Sequence, residues 1–147
     1  MTGVQTCALP ICSRRIRREL YPGALELVAA RKARGERVAL ATSSFDFVVA
    51  PLAAFLGADR LIASSLEFEA GESTGRFAGP PAFGEAKLEL ARRAAAAEGL
   101  GLGDCSFHSD SIHDLPLLAA VGEAVAVNPD FRLRREARSR GWKVIDL

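Results

Sequence analysis

The run Arg37-Val38-Ala39-Leu40-Ala41-Thr42 constrains the fold more than any other stretch of this chain. It is short and nearly continuously apolar, the pattern of a strand buried on both faces of a parallel sheet. Parallel strands need helical crossovers, and helical patterns flank the run on both sides. From Ala24 to Arg34, apolar Leu25, Val28 and Ala29 recur at helical spacing, and Gly35 stands where a C-cap belongs. Ser43 and Ser44 follow the strand, then a second helix runs to about Leu56 and closes at Gly57. Leu61-Ile62-Ala63 reads as another strand. Leu66-Glu67-Phe68-Glu69 alternates ahead of Gly71 and Gly75, which predicts a hairpin or β-arm extending to Phe77.

After the Gly79-Pro80-Pro81 break, Glu85 to Glu98 is an Ala- and Leu-rich helix with Lys87 in its first turn, and Gly99 to Gly103 is the loop behind it. Cys105 to His108 is strand-like, Ile112 to Val121 a short helix, and Ala124 to Val127 a further strand. Asp130 is placed as a helix N-cap, and Trp142 to Asp146 is a last strand after Gly141. Alternation of this kind with short loops predicts an α/β fold, a Rossmann-like parallel sheet with helices on both faces. A length of 147 residues suits one core, and 49% hydrophobic with 25% charged residues excludes a disordered chain.

The charge balance narrows the partners. Nineteen Lys and Arg against eighteen Asp and Glu leave +1, so no global field points to nucleic acid or an anionic membrane surface. The basic runs Arg14 to Arg18 and Arg132 to Arg140 could contact nucleic acid, but the second lies along a helix with Leu133 and Ala137 inward and reads as a solvated face. No uncharged stretch approaches the ~20 residues that span a bilayer. Three cysteines without CxxC make no disulfide framework, fit a reducing compartment and point to the cytoplasm, with Cys105 as a small core residue. Residues 1–12 lack the charged and apolar regions of a signal peptide. They resemble translated sequencing adapter and are expected to be a non-native leader.

In an open parallel sheet, ligands bind beyond the carboxyl ends of the strands. Three places there carry polar residues: Thr42-Ser43-Ser44, Lys87 at a helix start, and Ser109-Asp110-Ser111-Ile112-His113-Asp114. A strand-end hydroxyl beside helix N–H groups suits a phosphate oxygen, and a lysine supplies fixed positive charge. Two carboxylates four residues apart can hold Mg²⁺, which takes a few hard oxygen ligands plus waters and phosphate. Together these residues predict a phosphoryl site.

The segments ATSS, GEAK and HSDSIHDLPLL followed by VNPD resemble motifs II, III and IV of the haloacid dehalogenase (HAD) superfamily, in its phosphoserine-phosphatase-like subfamily IB branch. The resemblance runs from about Tyr21 to Leu147. It implies that Thr42 binds the transferring phosphoryl group with Ser43 beside it, that Lys87 holds that group, and that Asp110 ligates Mg²⁺. Asp114 would support the metal directly or through water, and Asn128 would lie nearby in a structural role. The implied reaction is hydrolysis of a phosphomonoester, a small phosphorylated metabolite, through an aspartyl-phosphate intermediate. Phosphoserine is one candidate, and transfer to another acceptor is an alternative.

The family's nucleophile and general acid are the two Asp of a DxDxT motif on a first, central strand, and this sequence has no DxD. The expectation is therefore a C-terminal fragment without turnover: residues 13–23 a remnant of a helical cap, residues 24–147 a partial core lacking its middle strand. Two other readings stand beside it. One is a non-catalytic domain that keeps Thr42, Lys87 and Asp110 to bind a phosphorylated ligand or a partner. The other is an enzyme using a nucleophile such as Asp46, placed inside the helix after Ser44. His108 and His113 could suggest zinc, but their spacing of five lacks a third ligand. Gly99, Gly101 and Gly103 precede a strand, so they form a loop and not a dinucleotide fingerprint.

Overall fold

The computed structural model describes residues 20–147; the expected leader, the Arg14 to Arg18 run and most of the expected cap remnant lie outside the described residues. The expected partial core divides into two compact units, the first ending at Ala82 and the second comprising Phe83–Leu147.

In the first unit, helix α1 (Pro22–Ala33) begins on a proline, which needs no N–H partner in a first turn, and ends on Arg31 and Lys32 near its negative pole. Strand β1 (Ala39–Phe45) runs parallel to β2 (Arg60–Ser64), with Leu40 opposite Leu61 and Ala41 opposite Ile62. The strand differs from expectation in two ways. It continues through Ser43 and Ser44 to Phe45 across an irregularity in register, and Ala39, Ser43 and Ser44 are exposed rather than buried on both faces. Among the described strands its only hydrogen-bonded neighbour is β2, and a strand with one neighbour leaves surface open that apolar sequence alone cannot foretell.

Helix α2 (Asp46–Leu56) is closed by Gly57 in the left-handed region. Strands β3 (Leu66–Glu69) and β4 (Glu72–Phe77) form the expected hairpin, antiparallel across an Ala70-Gly71 turn in which both residues have positive φ. Its polar face is tied by Glu67, which accepts from Thr74 Oγ1 and Arg76 Nε, each at 2.8 Å. Its apolar face carries Phe77, whose ring lies 5.9 Å from that of Phe45.

The second unit contains α3 (Gly84–Ala96), β5 (Ser106–Ser109), α4 (Leu115–Ala120), β6 (Glu123–Val127), α5 (Phe131–Arg140) and β7 (Lys143–Ile145). Its strands form a wholly parallel sheet ordered β5-β6-β7. Leu118, Ala124, Ala126, Leu133 and Ala137 form the buried core, with Phe107, Trp142 and Val144 packed against it. Leu133 and Ala137 point inward from α5 as the sequence implied.

The helix expected over Ile112 to Val121 is two pieces. A single 3₁₀ turn covers Ile112–Asp114, capped by Ser111 Oγ accepting the His113 N–H, and α4 begins only at Leu115 with Pro116 in its first turn. Proline tolerates the start of a helix and not its interior, which sets the boundary. Behind α4, the Gly122 N–H donates to the carbonyls of Leu102 and Cys105, and a Cβ there would meet the Gly103 carbonyl. Cys105 is only partly buried, and that burial pushes its thiol above the ordinary value, as for an unreactive side chain.

Asp130 is the residue on which the second unit turns. Its Oδ1 caps α5 by accepting the Leu133 N–H at 2.8 Å, and its Oδ2 accepts the Ile112 N–H at 3.0 Å. Its own N–H donates to the Asp110 carbonyl at 2.9 Å. The hydrogen bonds from Leu133 and Ile112 hold its carboxyl below the ordinary aspartate value. A depressed carboxyl stabilises the fold above the unfolded value, near pH ~4, and loses that contribution as pH falls through the folded one. Asp130→Ala is expected to cost about 1 kcal/mol or somewhat more in urea unfolding at pH 7. The difference from the parent should shrink steadily below pH ~4.

Candidate functional site

Each unit carries one group of the residues singled out from the sequence. In the first, Thr42 and Ser43 lie in the irregular last part of β1. Thr42 Oγ1 accepts the Ser44 N–H at 3.2 Å, a local turn that leaves the hydroxyl proton for another acceptor. Ser43 is exposed, and its carbonyl accepts the Ser64 hydroxyl at 3.0 Å. Ser64 is fully buried at the end of β2 and also accepts the Ala82 N–H at 3.0 Å, so it fastens the Ser43 backbone to the end of the loop that follows β4. Ser64 was not singled out from the sequence, although it too ends an apolar run, Leu61 to Ala63.

Asp46 lies in α2, as expected, and is its first residue. Its Oδ2 accepts the Ser65 hydroxyl at 2.6 Å and its Oδ1 the Phe47 N–H at 2.7 Å. Both oxygens being engaged locally, Asp46 reads as a helix-terminal anchor.

The second group is organised around a lysine. Lys87 lies in the first turn of α3 and is only 5% exposed, so it is not a solvated helix residue. Its Nζ meets Asp114 Oδ1 at 2.5 Å, and the Asp114 side chain is itself 12% exposed. The other carboxylate oxygen, Oδ2, accepts the Ser109 hydroxyl at 2.7 Å, and Ser109 Oγ accepts the Ser111 N–H at 3.2 Å. Ser109 ends β5 and is buried. Asp110, the next residue, is exposed beyond the end of the strand, with its backbone held by Asp130.

Asn128 stands apart from this chain of contacts. It adopts a positive φ of 43° after β6, its N–H donates to the Ile145 carbonyl, and its Oδ1 accepts the Leu147 N–H. It therefore fastens the end of β7. The His113 ring packs 5.1 Å from that of Phe83. Among the described residues no three His, Cys, Asp or Glu side chains gather as a metal cage.

A model of the haloacid dehalogenase-like hydrolases matches residues 5–119. The chain belongs to that family. It is 43% identical over 128 residues to a probable phosphatase of Mycobacterium tuberculosis, covering 87% of this chain and 44% of that protein. It is also similar to a solved protein of unknown function from Bordetella pertussis Tohama I, at TM-score 0.83 and 34% identity over 99% of this chain and 75% of that one. A substrate-bound phosphoserine phosphatase structure aligns at TM-score 0.66 and 27% identity, covering 83% of this chain and 56% of that one. The chain spans about half the length of the curated relatives it matches. The α/β fold with parallel strands and crossover helices is that of these structures. No described helix is long and apolar enough to cross a membrane.

Chemically, a buried ammonium fixed by one carboxylate is a stationary positive charge that needs no reorganisation to meet an anion. Removing only one partner of such a pair leaves an uncompensated buried charge. Asp114→Leu is expected to lower stability by about 3–5 kcal/mol in urea unfolding, and Lys87→Met/Asp114→Leu by clearly less, because the double variant buries no charge.

Proposed function

We propose that this chain carries phosphoryl- and metal-binding machinery of a HAD-type phosphomonoester hydrolase acting on a small phosphorylated metabolite in the cytoplasm. The observation that carries the reading is the buried Lys87–Asp114 pair beside the end of β5, a fixed positive charge at the end of a parallel strand, where ligands bind in such sheets. The relatives, a probable phosphatase and phosphoserine phosphatases among them, support the same class of chemistry.

In this reading Thr42 and Ser43 donate hydrogen bonds to phosphate oxygens, and Lys87 neutralises charge on the transferring group. Asp110 ligates Mg²⁺, Asp114 acts through Lys87, and Asn128 is structural. The donor set fits that ion: Mg²⁺ is commonly held by one or two carboxylates together with waters and substrate phosphate, and an exposed carboxylate at a strand end meets that need. Bound there, Mg²⁺ would supply charge stabilisation at the phosphoryl oxygens. The family's route through an aspartyl-phosphate needs a carboxylate from a DxD motif, which the 147 residues do not contain. The chain by itself is accordingly proposed to bind phosphate without turning over esters, and a non-catalytic phosphate-binding domain is the second reading that the same absence favours.

The deciding experiment is thermal unfolding with MgCl₂ and inorganic phosphate, singly and together, beside a phosphate-release assay on phosphoserine. Joint addition is expected to raise Tm by roughly 2–4 °C for each kcal/mol of binding, and Lys87→Gln to abolish that rise. Absence of any shift at millimolar phosphate would sink the reading. Phosphate release by the purified chain that Lys87→Gln abolishes would overturn the proposed lack of turnover while keeping the hydrolase class.

A further inference from the structure

Resting on the reading just given, we propose that Ser109 is a positioning residue that commits Asp114 to Lys87 and so leaves the divalent cation to Asp110. A hydroxyl has one proton to give. At Ser109 the backbone N–H of Ser111 occupies an acceptor site of Oγ at 3.2 Å, and the proton is directed at Asp114 Oδ2, 2.7 Å away. That bond turns the carboxylate so that its other oxygen, Oδ1, faces the Lys87 ammonium at 2.5 Å. An ammonium and a dication compete for one carboxylate and repel each other across it, the more so where burial lowers the local dielectric. With both oxygens engaged and Lys87 almost wholly buried, Asp114 is spent on the lysine. Asp110, four residues earlier and exposed, is the carboxylate still available to the ion.

The sequence offers the same two aspartates as a pair on one turn. Ser109 divides their labour. Without its hydroxyl, Asp114 loses the bond that orients it, is free to turn toward the cation, and holds Lys87 less firmly.

Two measurements on the full chain separate this from a purely structural role, with circular dichroism confirming that each variant is folded. The first needs no metal: acylation of lysines by acetic anhydride, followed residue by residue by mass spectrometry. Lys87 is expected to react slowly in the parent and about fivefold faster in Ser109→Ala, the factor matching loss of one hydrogen bond. Lys32 and Lys143 should be unchanged, and Ser109→Thr, which keeps the hydroxyl, should restore protection if it folds. Equal Lys87 protection in the parent and in Ser109→Ala overturns the proposal whatever the metal does.

The second is a calorimetric Mg²⁺ titration arranged as a double-mutant cycle. Asp114→Asn is expected to leave Mg²⁺ affinity within about twofold in the parent and to lower it about fivefold or more in the Ser109→Ala background. A tenfold loss on Asp114→Asn in the parent would make Asp114 a direct ligand and overturn the proposal. Failure of the parent to bind Mg²⁺ removes the metal half of the functional reading, and the division of labour proposed here falls with it. The acylation result would then report on the Lys87 contact alone.

Discussion

A buried ammonium has to be answered within its own contact shell, and the second unit is arranged to answer one. Lys87 is withdrawn from water and meets Asp114. Asp114 in turn is oriented by Ser109, and Ser109 is held at the buried end of β5, opposite Ala126 of β6. A pair of this kind contributes little net stability, because desolvation offsets most of the attraction. In the proposed function its value lies in geometry, since a charge fixed before a ligand arrives does not have to be ordered afterwards. A 3₁₀ turn over Ile112–Asp114 precedes α4. The α-helix starts only at Leu115, Asp114 at the end of the turn meets Lys87, and Asp110 is exposed at the strand end.

Asp130 does for the backbone what Asp114 does for the lysine. One carboxylate caps α5 and receives the Ile112 N–H, while its own N–H secures the Asp110 carbonyl. The loop bearing Asp110 is thereby tied to a helix that the core holds through Leu133 and Ala137. In the first unit Ser64 has a comparable part, joining the Ser43 carbonyl to the Ala82 N–H. Both units thus support their strand-end loops with small buried hydroxyls or capping carboxylates, groups short enough to bond backbone without filling the space a ligand would need.

Much of this was legible in the sequence. The alternation of apolar runs with helical periodicity predicted the parallel α/β fold, and the Ala70-Gly71 turn sits where alternation gave way to glycine. Lys87 stood out at a helix start and Asp110 and Asp114 beyond a strand, and the structure brings Lys87 and Asp114 together. Other features were not legible. β1 was read as buried on both faces, whereas Ser43 and Ser44 extend it into solvent. Asp46 was placed in a helix and lies in one, but its bond to the Ser65 hydroxyl was not foreseen. Ser64 carried no distinguishing pattern, and Ser109, though it opens the polar run after β5, gave no sign of its partner, because a serine at a strand end reads alike whether it caps, binds or faces water.

What the sequence determined by itself is periodicity and order: which segments alternate, where proline and glycine interrupt them, and which charged residues fall at strand ends. These are properties of neighbours along the chain, and local sterics and hydrophobic pattern are enough to set them. Only the tertiary structure decided which partner each polar group takes. Lys87 and Asp114 are 27 residues apart, and Ile112 and Asp130 are 18 apart. A contact between such residues depends on packing α3 against α4 and the Ile112–Asp114 turn, and α5 against β6. That packing, through burial, turns two ordinary helix-start residues into a fixed ion pair.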